Sequence, residues 1–280
     1  MFLIAESGSS KTQWRITGDA ATIAIETKGI NPFFASEDFI LGELQSSALS
    51  QYQNKINRIV FYGSGCSHEE RNNYLKNILK NYFPFATDIL VDHDLLAACI
   101  ALFGNDHGIA CIIGTGSNSC VYKDGEITQN VPALGYILGD EASGSYLGKE
   151  ILKHYIYKTL PKDIHDHIVS EYKIDKEDIF EAVYKQPLAN RFLASFAKIA
   201  SQFRNHSFIQ EILLRGFDEF IRYHIACYPE AKKYPISFVG SIASVFEDEL
   251  STAMKKHGLT ISKIDKNPID ALVSYYLMPM

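Results

Sequence analysis

One pattern occurs twice in this chain, and it limits the fold more than any other feature. Near the start, the alternating run "LIAES" breaks at Gly8-Ser9-Ser10 and resumes as "KTQWRIT"; Gly18-Asp19 then turns it into a third run, "TIAIET". Further on, "GIACIIG" leads through Thr115-Gly116 into "SNSCVYKDGEITQ", which reads as a hairpin turning at Asp124-Gly125. Period-two alternation marks half-buried strands, and glycine with small polar residues marks the turns that reverse them. Each set of strands opens a section in which helices and strands alternate. In the first, "SEDFILGELQSSALSQY" starts as a helix capped by Ser36 with acids in its first turn. "RIVFYG" and "TDILVD" are strands around the polar helix "HEERNNYLKNILKNYF", and "DLLAACIALFG" is a buried helix that Gly104 ends. In the second, "ISFVG" is a strand, "ASVFEDELSTAMKKHG" a helix, "LTISKI" a strand and "NPIDALVSYYL" a helix capped by Asn267. A mainly helical stretch from Ser143 to Tyr228 precedes them.

The order βββαβαβα therefore appears twice, the second time with a helical insertion. This predicts a duplicated α/β fold with domains at 1–107 and 108–280, the last helix being free to pack back on the first domain. Ligands of open α/β sheets sit at strand ends, so a cleft between two such domains is the expected site.

Gly8-Ser9-Ser10-Lys11-Thr12 looks at first like a phosphate-binding P-loop. That motif needs a glycine directly before the lysine, where Ser10 stands, and a helix starting at the lysine. The strand after Thr12 excludes it. A hairpin turn of small residues still lets backbone amides approach an anion, and Ser9, Ser10 and Thr12 add hydroxyl donors. One such turn is a weak signal; two in equivalent places, the second at Gly114-Thr115-Gly116, could grip a chain of phosphates from both sides.

Composition narrows the partners. With 280 residues, 46% hydrophobic and 21% charged, the chain has the balance of a globular protein with a substantial core. A net charge of −6 and no basic stripe argue against nucleic acid or an anionic membrane as partner. The cysteines, Cys66, Cys99, Cys111, Cys120 and Cys227, form no C-x-x-C pair and read as buried reduced thiols. With no basic leader and no long apolar run, the expectation is a cytoplasmic protein. The histidines fall in no metal-binding spacing, which predicts no structural zinc.

The stretches "AESGSSKTQW", "DHDLLAA", "GTGSNS", "LGYILGDEASG" and "FVGSIAS", in this order, are spread over nearly the whole chain. Together they resemble the actin/hexokinase superfamily of ATPases and sugar kinases, and within it the N-acetylglucosamine kinase branch related to the ATPase activators of 2-hydroxyacyl-CoA dehydratases. The resemblance implies a duplicated ribonuclease H-like (actin-like ATPase) fold, ATP and Mg²⁺ as cofactors, and a sugar as substrate. It places the catalytic base at Asp94, sugar contacts at Asn31, Asn118 and Asp140, and phosphate contacts at Gly8, Ser9, Ser10, Lys11, Thr12, Gly114, Thr115 and Gly116. Gly240 and Ser241 fall on the adenosine-side motif. Glu6 stands where the family usually has the aspartate that holds Mg²⁺ through water; a glutamate keeps the hard oxygen on a longer stem.

Read without the resemblance, Asp94 is a helix cap, Asn31 a turn residue and Lys11 a solvated loop lysine. Glu141 could contact sugar or cap the following helix, and Tyr136 could face the sugar or simply pack. The expectation that unites these residues is transfer of the ATP γ-phosphoryl group to the 6-hydroxyl of N-acetylglucosamine or a related amino sugar. Its rivals are an ATPase activator of another enzyme and a sugar sensor without turnover. The apolar helices between 187 and 228 could form a homodimer face.

Overall fold

The computed structural model describes residues 1–18 and 21–278, so Asp19 of the expected Gly18-Asp19 turn lies outside the described residues. Its elements run in chain order β1 (Phe2–Ser7), β2 (Lys11–Thr17), β3 (Ile23–Lys28), α1 (Glu37–Ser46), β4 (Arg58–Gly63), α2 (Glu69–Tyr82), β5 (Asp88–His93) and α3 (Asp94–Phe103). There follow β6 (Gly108–Ile113), β7 (Ser117–Lys123), β8 (Glu126–Asn130), α4 (Gly135–Leu138), α5 (Gly144–Ile156), α6 (Lys162–Glu171), α7 (Lys176–Tyr184), α8 (Ala189–Ser195), α9 (Ala197–Gln202) and α10 (Ser207–His224). The chain ends with β9 (Ile236–Val239), α11 (Ser241–Val245), α12 (Glu247–Lys256), β10 (Lys263–Asp265) and α13 (Ile269–Leu277). They form two compact units, Met1–Asn105 with Asn267–Met280, and Asp106–Lys266.

Each unit is built on a five-stranded mixed sheet. The orders are β3-β2-β1-β4-β5 and β8-β7-β6-β9-β10, the same path walked twice. In both, the first three strands are antiparallel neighbours and the next two add in parallel. This is a duplicated ribonuclease H-like fold.

In the first unit, alternation along β1 and β4 sends Leu3, Ala5, Ile59 and Phe61 to one face, where α1 and α2 bury them. Ile4, Val60 and Tyr62 go to the other, under α3 and α13. Thus α13, although last in the chain, completes the first unit, and Arg15 on β2 donates to Asp270 on α13 at 2.8 Å. The second unit has one large core, in which α5, α9 and α10 cover Ile109, Cys111, Ile113 and Phe238 of the sheet.

Local signals explain most element ends. Ser36 caps α1 by accepting from Phe39 N–H, and Gly104 closes α3 at φ +58°. The β7–β8 turn places Asp124 and Gly125 at φ +54° and +83°, which a two-residue turn matched to strand twist requires. Several expectations need correction. The helix expected from Ala243 to Gly258 breaks at Phe246 into α11 and α12: Phe246 leaves the helical region at φ −111°, with its ring completely buried. "LTISKI" contributes only Lys263 and Ile264 to the sheet, in a strand that runs on to Asp265, and α13 begins after Pro268. Cys227 is exposed, unlike the other four cysteines.

Candidate active site

The carboxyl ends of the parallel strands β1, β4 and β5 gather Glu6, Asp92 and Asp94. Strand register puts Glu6, Tyr62 and Asp92 in one row and Ser7, Gly63 and His93 in the next. Asp94 follows as the first residue of α3. The cap of α3 is His93, whose Nδ1 accepts from Leu96 N–H at 3.2 Å, so the Asp94 carboxylate is not spent on that cap. Burial pushes the Asp94 carboxyl up, with the His93 charge and the Leu95 N–H opposing. Burial and the charge of Asp94 push Glu6 up to about 7, against the pull of Lys11. Burial thus raises the affinity of both carboxyls for positive charge, whether proton or metal, and the charge of Asp94 raises that of Glu6 further. Among the described residues no group of three or more His, Cys, Asp or Glu forms a metal cluster.

The first loop is braced from behind by hydroxyls. Gly8 N–H donates to Lys11 C=O at 3.0 Å and closes the turn. Ser7 and Thr12, both fully buried, share a 2.7 Å hydrogen bond, and each accepts from Ile30 N–H. Thr12 also donates to Lys28 C=O at 3.2 Å. The Thr12 side chain is therefore a brace and cannot add the donor expected of it; Ser9 and Ser10 stand at the turn. Gly29 must be glycine, since a Cβ there would lie 2.5 Å from the carbonyls of Gly8 and Ser9. Lys11 pairs with Glu26 across the sheet at 3.1 Å, with both side chains more than half exposed.

Asn31 stands beside this loop and organises its own turn. Its Oδ1 accepts from Phe33 N–H at 2.9 Å, and its carbonyl accepts from Phe34 and Ala35. Gly65, at φ +83° in the β4–α2 connection, leaves it room, since a Cβ there would collide with Asn31 Oδ1. The turn reading of Asn31 describes these contacts fully, with the Nδ2 end left for any ligand.

In the second unit the loop Gly114-Thr115-Gly116 is tied to the N-terminus of α5. Gly144 N–H donates to Gly114 C=O at 2.8 Å, and Ser145 N–H to Thr115 C=O at 3.0 Å. Asp140 supplies the other tie: its Oδ1 accepts from Ser117 N–H at 3.0 Å, and a Cβ on Gly116 would lie 2.9 Å from that oxygen. Burial above all pushes the Asp140 carboxyl up, and Ser117 N–H counters it. The contacts of Asp140 thus go to the loop, a role its expectation as a sugar ligand did not include. Gly240 likewise has a second reason to be glycine. At φ +114°, its missing Cβ would meet Ile113 C=O at 2.4 Å, so it lets β9 end directly behind the second loop. Ser241 follows it, exposed, at the start of α11.

Glu141 accepts from His224 Nε2 at 3.1 Å, and this bond chiefly holds its carboxyl below the usual range. His224 is buried, with its ring stacked on Phe220. Glu141 is therefore anchored to α10 and does not cap α5, whose cap is Ser143. Asn118 accepts at Oδ1 from Ser119 N–H at 2.9 Å and from Asn130 Nδ2 at 3.0 Å. Tyr136 lies half-buried in the short helix α4, packed on the core of the unit, with its carbonyl bound by Lys149.

No protein-family model and no curated protein matches this chain. Among solved structures, a Porphyromonas gingivalis protein provisionally named an N-acetylglucosamine kinase shares 36% identity with it. The two superpose with a TM-score of 0.92 over 99% of this chain and 98% of that one. The chain belongs to this N-acetylglucosamine kinase-like family of the actin/hexokinase superfamily. A second protein provisionally given that name, from Chromobacterium violaceum, has a TM-score of 0.73 at 14% identity and covers 98% of both chains. MreB 5 of Spiroplasma citri, solved with AMPPNP, has a TM-score of 0.61 at 12% identity over 98% of this chain and 94% of that one. At such identities these two show the shared fold alone.

Within the family fold, His224, Asn130 and Ser7 are residues that sequence reasoning missed. His224 and Glu141 are 83 positions apart and meet only because α10 returns to the start of α5. Ser7 had a local signal, a small hydroxyl at the strand end facing Thr12 across the hairpin.

Proposed function

We propose that the chain is an ATP-dependent sugar kinase acting on the 6-hydroxyl of N-acetylglucosamine or a related amino sugar. The observation that carries this reading is the pair Glu6 and Asp94 at the carboxyl ends of β1 and β5, where burial pushes both carboxyls up and the charge of Asp94 adds to the rise at Glu6, in a chain of this family. Asp94 is the base. Its carboxylate takes the proton of the attacking sugar hydroxyl as the new O–P bond forms and the bond from the γ-phosphorus to ADP breaks. A carboxyl held above its ordinary range is a stronger base at neutral pH than an exposed aspartate.

Mg²⁺ fits the same pair, because hard oxygen donors with uncompensated negative charge suit a hard divalent cation. Glu6 would hold it, with Asp94 nearby; when bound it would neutralise charge on the phosphates. The turns at Gly8–Ser10 and Gly114–Gly116 are each assigned to phosphate through their backbone. Asn31, Asn118 and Glu141 are assigned to sugar hydroxyls, since amide and carboxylate groups bond polar substituents in pairs.

Coupled ADP release with Mg·ATP and a panel of hexoses and amino sugars tests the proposal. Sugar-dependent turnover is expected, falling about 10²- to 10⁴-fold in Asp94→Asn. ADP release independent of every sugar, or equal in the variant, would overturn it.

A further inference from the structure

The amide of Asn118 has only one orientation available, set by the backbone at Ser119 and held by Asn130, a residue outside the expected site. A carboxamide presents an acceptor at one end and a donor at the other, so which end faces outward sets what it recognises. Ser119 N–H donates to Asn118 Oδ1 at 2.9 Å, and a backbone N–H accepts nothing, so the oxygen must face inward. Asn130 has the same constraint from the opposite direction. Its Nδ2 lies 2.6 Å from Ser119 C=O, which can only accept, so that end must be the donor. The same Nδ2 reaches Asn118 Oδ1 at 3.0 Å.

Strand geometry explains why an asparagine stands there. The β7–β8 ladder runs out at the pair Cys120 and Asn130, and beyond it Ser119 C=O has no backbone partner on β8. Asn130, the last residue of β8, extends the ladder with its side chain. Ser119 is held as well by Tyr228 on the other side of the strand, with its hydroxyl bonded to His224 C=O at 2.6 Å. The frame is therefore tied to the core while Asn130 and Asn118 stay accessible.

We propose that Asn130 is a specificity-determining positioning residue: it locks Asn118 with Nδ2 outward, as an obligate hydrogen-bond donor to an oxygen of the sugar. This rests on the sugar-kinase reading above. The ligand atom that Asn118 meets is then an acceptor oxygen, a hydroxyl or a carbonyl, and never an ammonium group. Without Asn130 the Asn118 side chain is freed to rotate away from Ser119, and the donor is no longer presented to the sugar.

The test is a double-mutant cycle on kcat/KM for the best sugar of the panel, with Asn118→Ala, Asn130→Ala, their combination, and Asn118→Asp. Asn130→Ala is expected to lower sugar kcat/KM roughly tenfold in the parent chain and less than about twofold in Asn118→Ala, with KM for ATP unmoved. Asn118→Asp keeps the acceptor that Ser119 and Asn130 use but loses the outward donor, so it is expected to lose at least as much as Asn118→Ala. Equal losses from Asn130→Ala in both backgrounds would show a merely structural residue and overturn the proposal. So would an Asn118→Asp variant with the parental sugar KM. Sugar-independent turnover in the parent would overturn the kinase reading and this inference with it, whereas sugar turnover with an additive cycle would overturn the inference alone.

Discussion

Behind the loop Gly8–Ser10, the first unit places two neutral hydroxyls, Ser7 and Thr12; behind Gly114–Gly116, the second places the carboxylate of Asp140 and the first amides of α5. Strand order is the same in both sheets, so the fold does not dictate the brace. Charge offers a reason for the difference. The first unit already concentrates Glu6 and Asp94 at its strand ends, and a third carboxylate behind the loop would raise their repulsion further. Its brace is neutral, and its glycine has room: a Cβ on Gly8 would find only Lys11 C=O, at 3.9 Å. In the second unit the carboxyl next to Asp140, Glu141, is held by His224, and the loop packs against Asp140 on one side and Gly240 on the other.

The comparison breaks most readily at Gly240. Gly240→Ala meets both a positive φ and a carbonyl in its path, and is expected to destabilise by about 2–4 kcal/mol. Gly8→Ala is its match in the first unit and should stay within about 1 kcal/mol; denaturant melts of the two variants decide it. If both cost the same, the contrast between a tight and a roomy loop is wrong.

The braces themselves come next. Asp140→Ala leaves Ser117 N–H without its acceptor and should cost about 1–3 kcal/mol, while Asp140→Asn keeps an oxygen there and should cost less than about 1 kcal/mol. Ser7→Ala should cost about 1 kcal/mol, because Thr12 still accepts from Ile30.

The acidic pair gives a signature in pH. Glu6 titrates near 7 in the folded chain, above its ordinary 4.5, so the folded state binds the proton more tightly. Its stabilising share is complete below the ordinary value and is lost as pH rises through about 7, by about 1–3 kcal/mol without metal. Glu6→Gln removes that slope, and its Tm advantage over the parent should widen from pH 5 to 8. Thermal melts that run parallel across this range would refute the pairing. Lys11→Met has the smallest effect. An exposed ion pair with Glu26 contributes at most about 0.5 kcal/mol, yet removing the lysine charge should move the Glu6 midpoint upward in the same melts.

The architecture was legible because each of its signals is local. Alternation gave the strands, Asp124-Gly125 the hairpin, Ser36 and Gly104 the ends of their helices. The split at Phe246 was not, since the pull on its ring comes from a core assembled by distant segments. Nor does sequence distinguish Thr12, which faces inward, from Ser9 and Ser10, which do not; all are small hydroxyls in one turn. Gly240 shows the same limit. A glycine after a strand suggests a close approach, but the approaching group is the backbone at Ile113, on a strand far away in sequence. Asn118 and Glu141 were found by motif, whereas Asn130 and His224, which orient them, follow no motif because their task is set by where a strand or helix happens to end.

The position of α13 has a consequence for how the chain is made. Ile269, Leu272 and Val273 share with α3 the cover of Ile4, Val60 and Tyr62, so until α13 is made this face of the first sheet is covered by α3 alone. The cover stays incomplete until all of Asp106–Lys266 has been synthesised. At ~5–20 residues per second that interval is on the order of ten seconds or more. During it the apolar side chains that α13 will cover stay open to other contacts, and folding of the first unit waits on a helix made after the second.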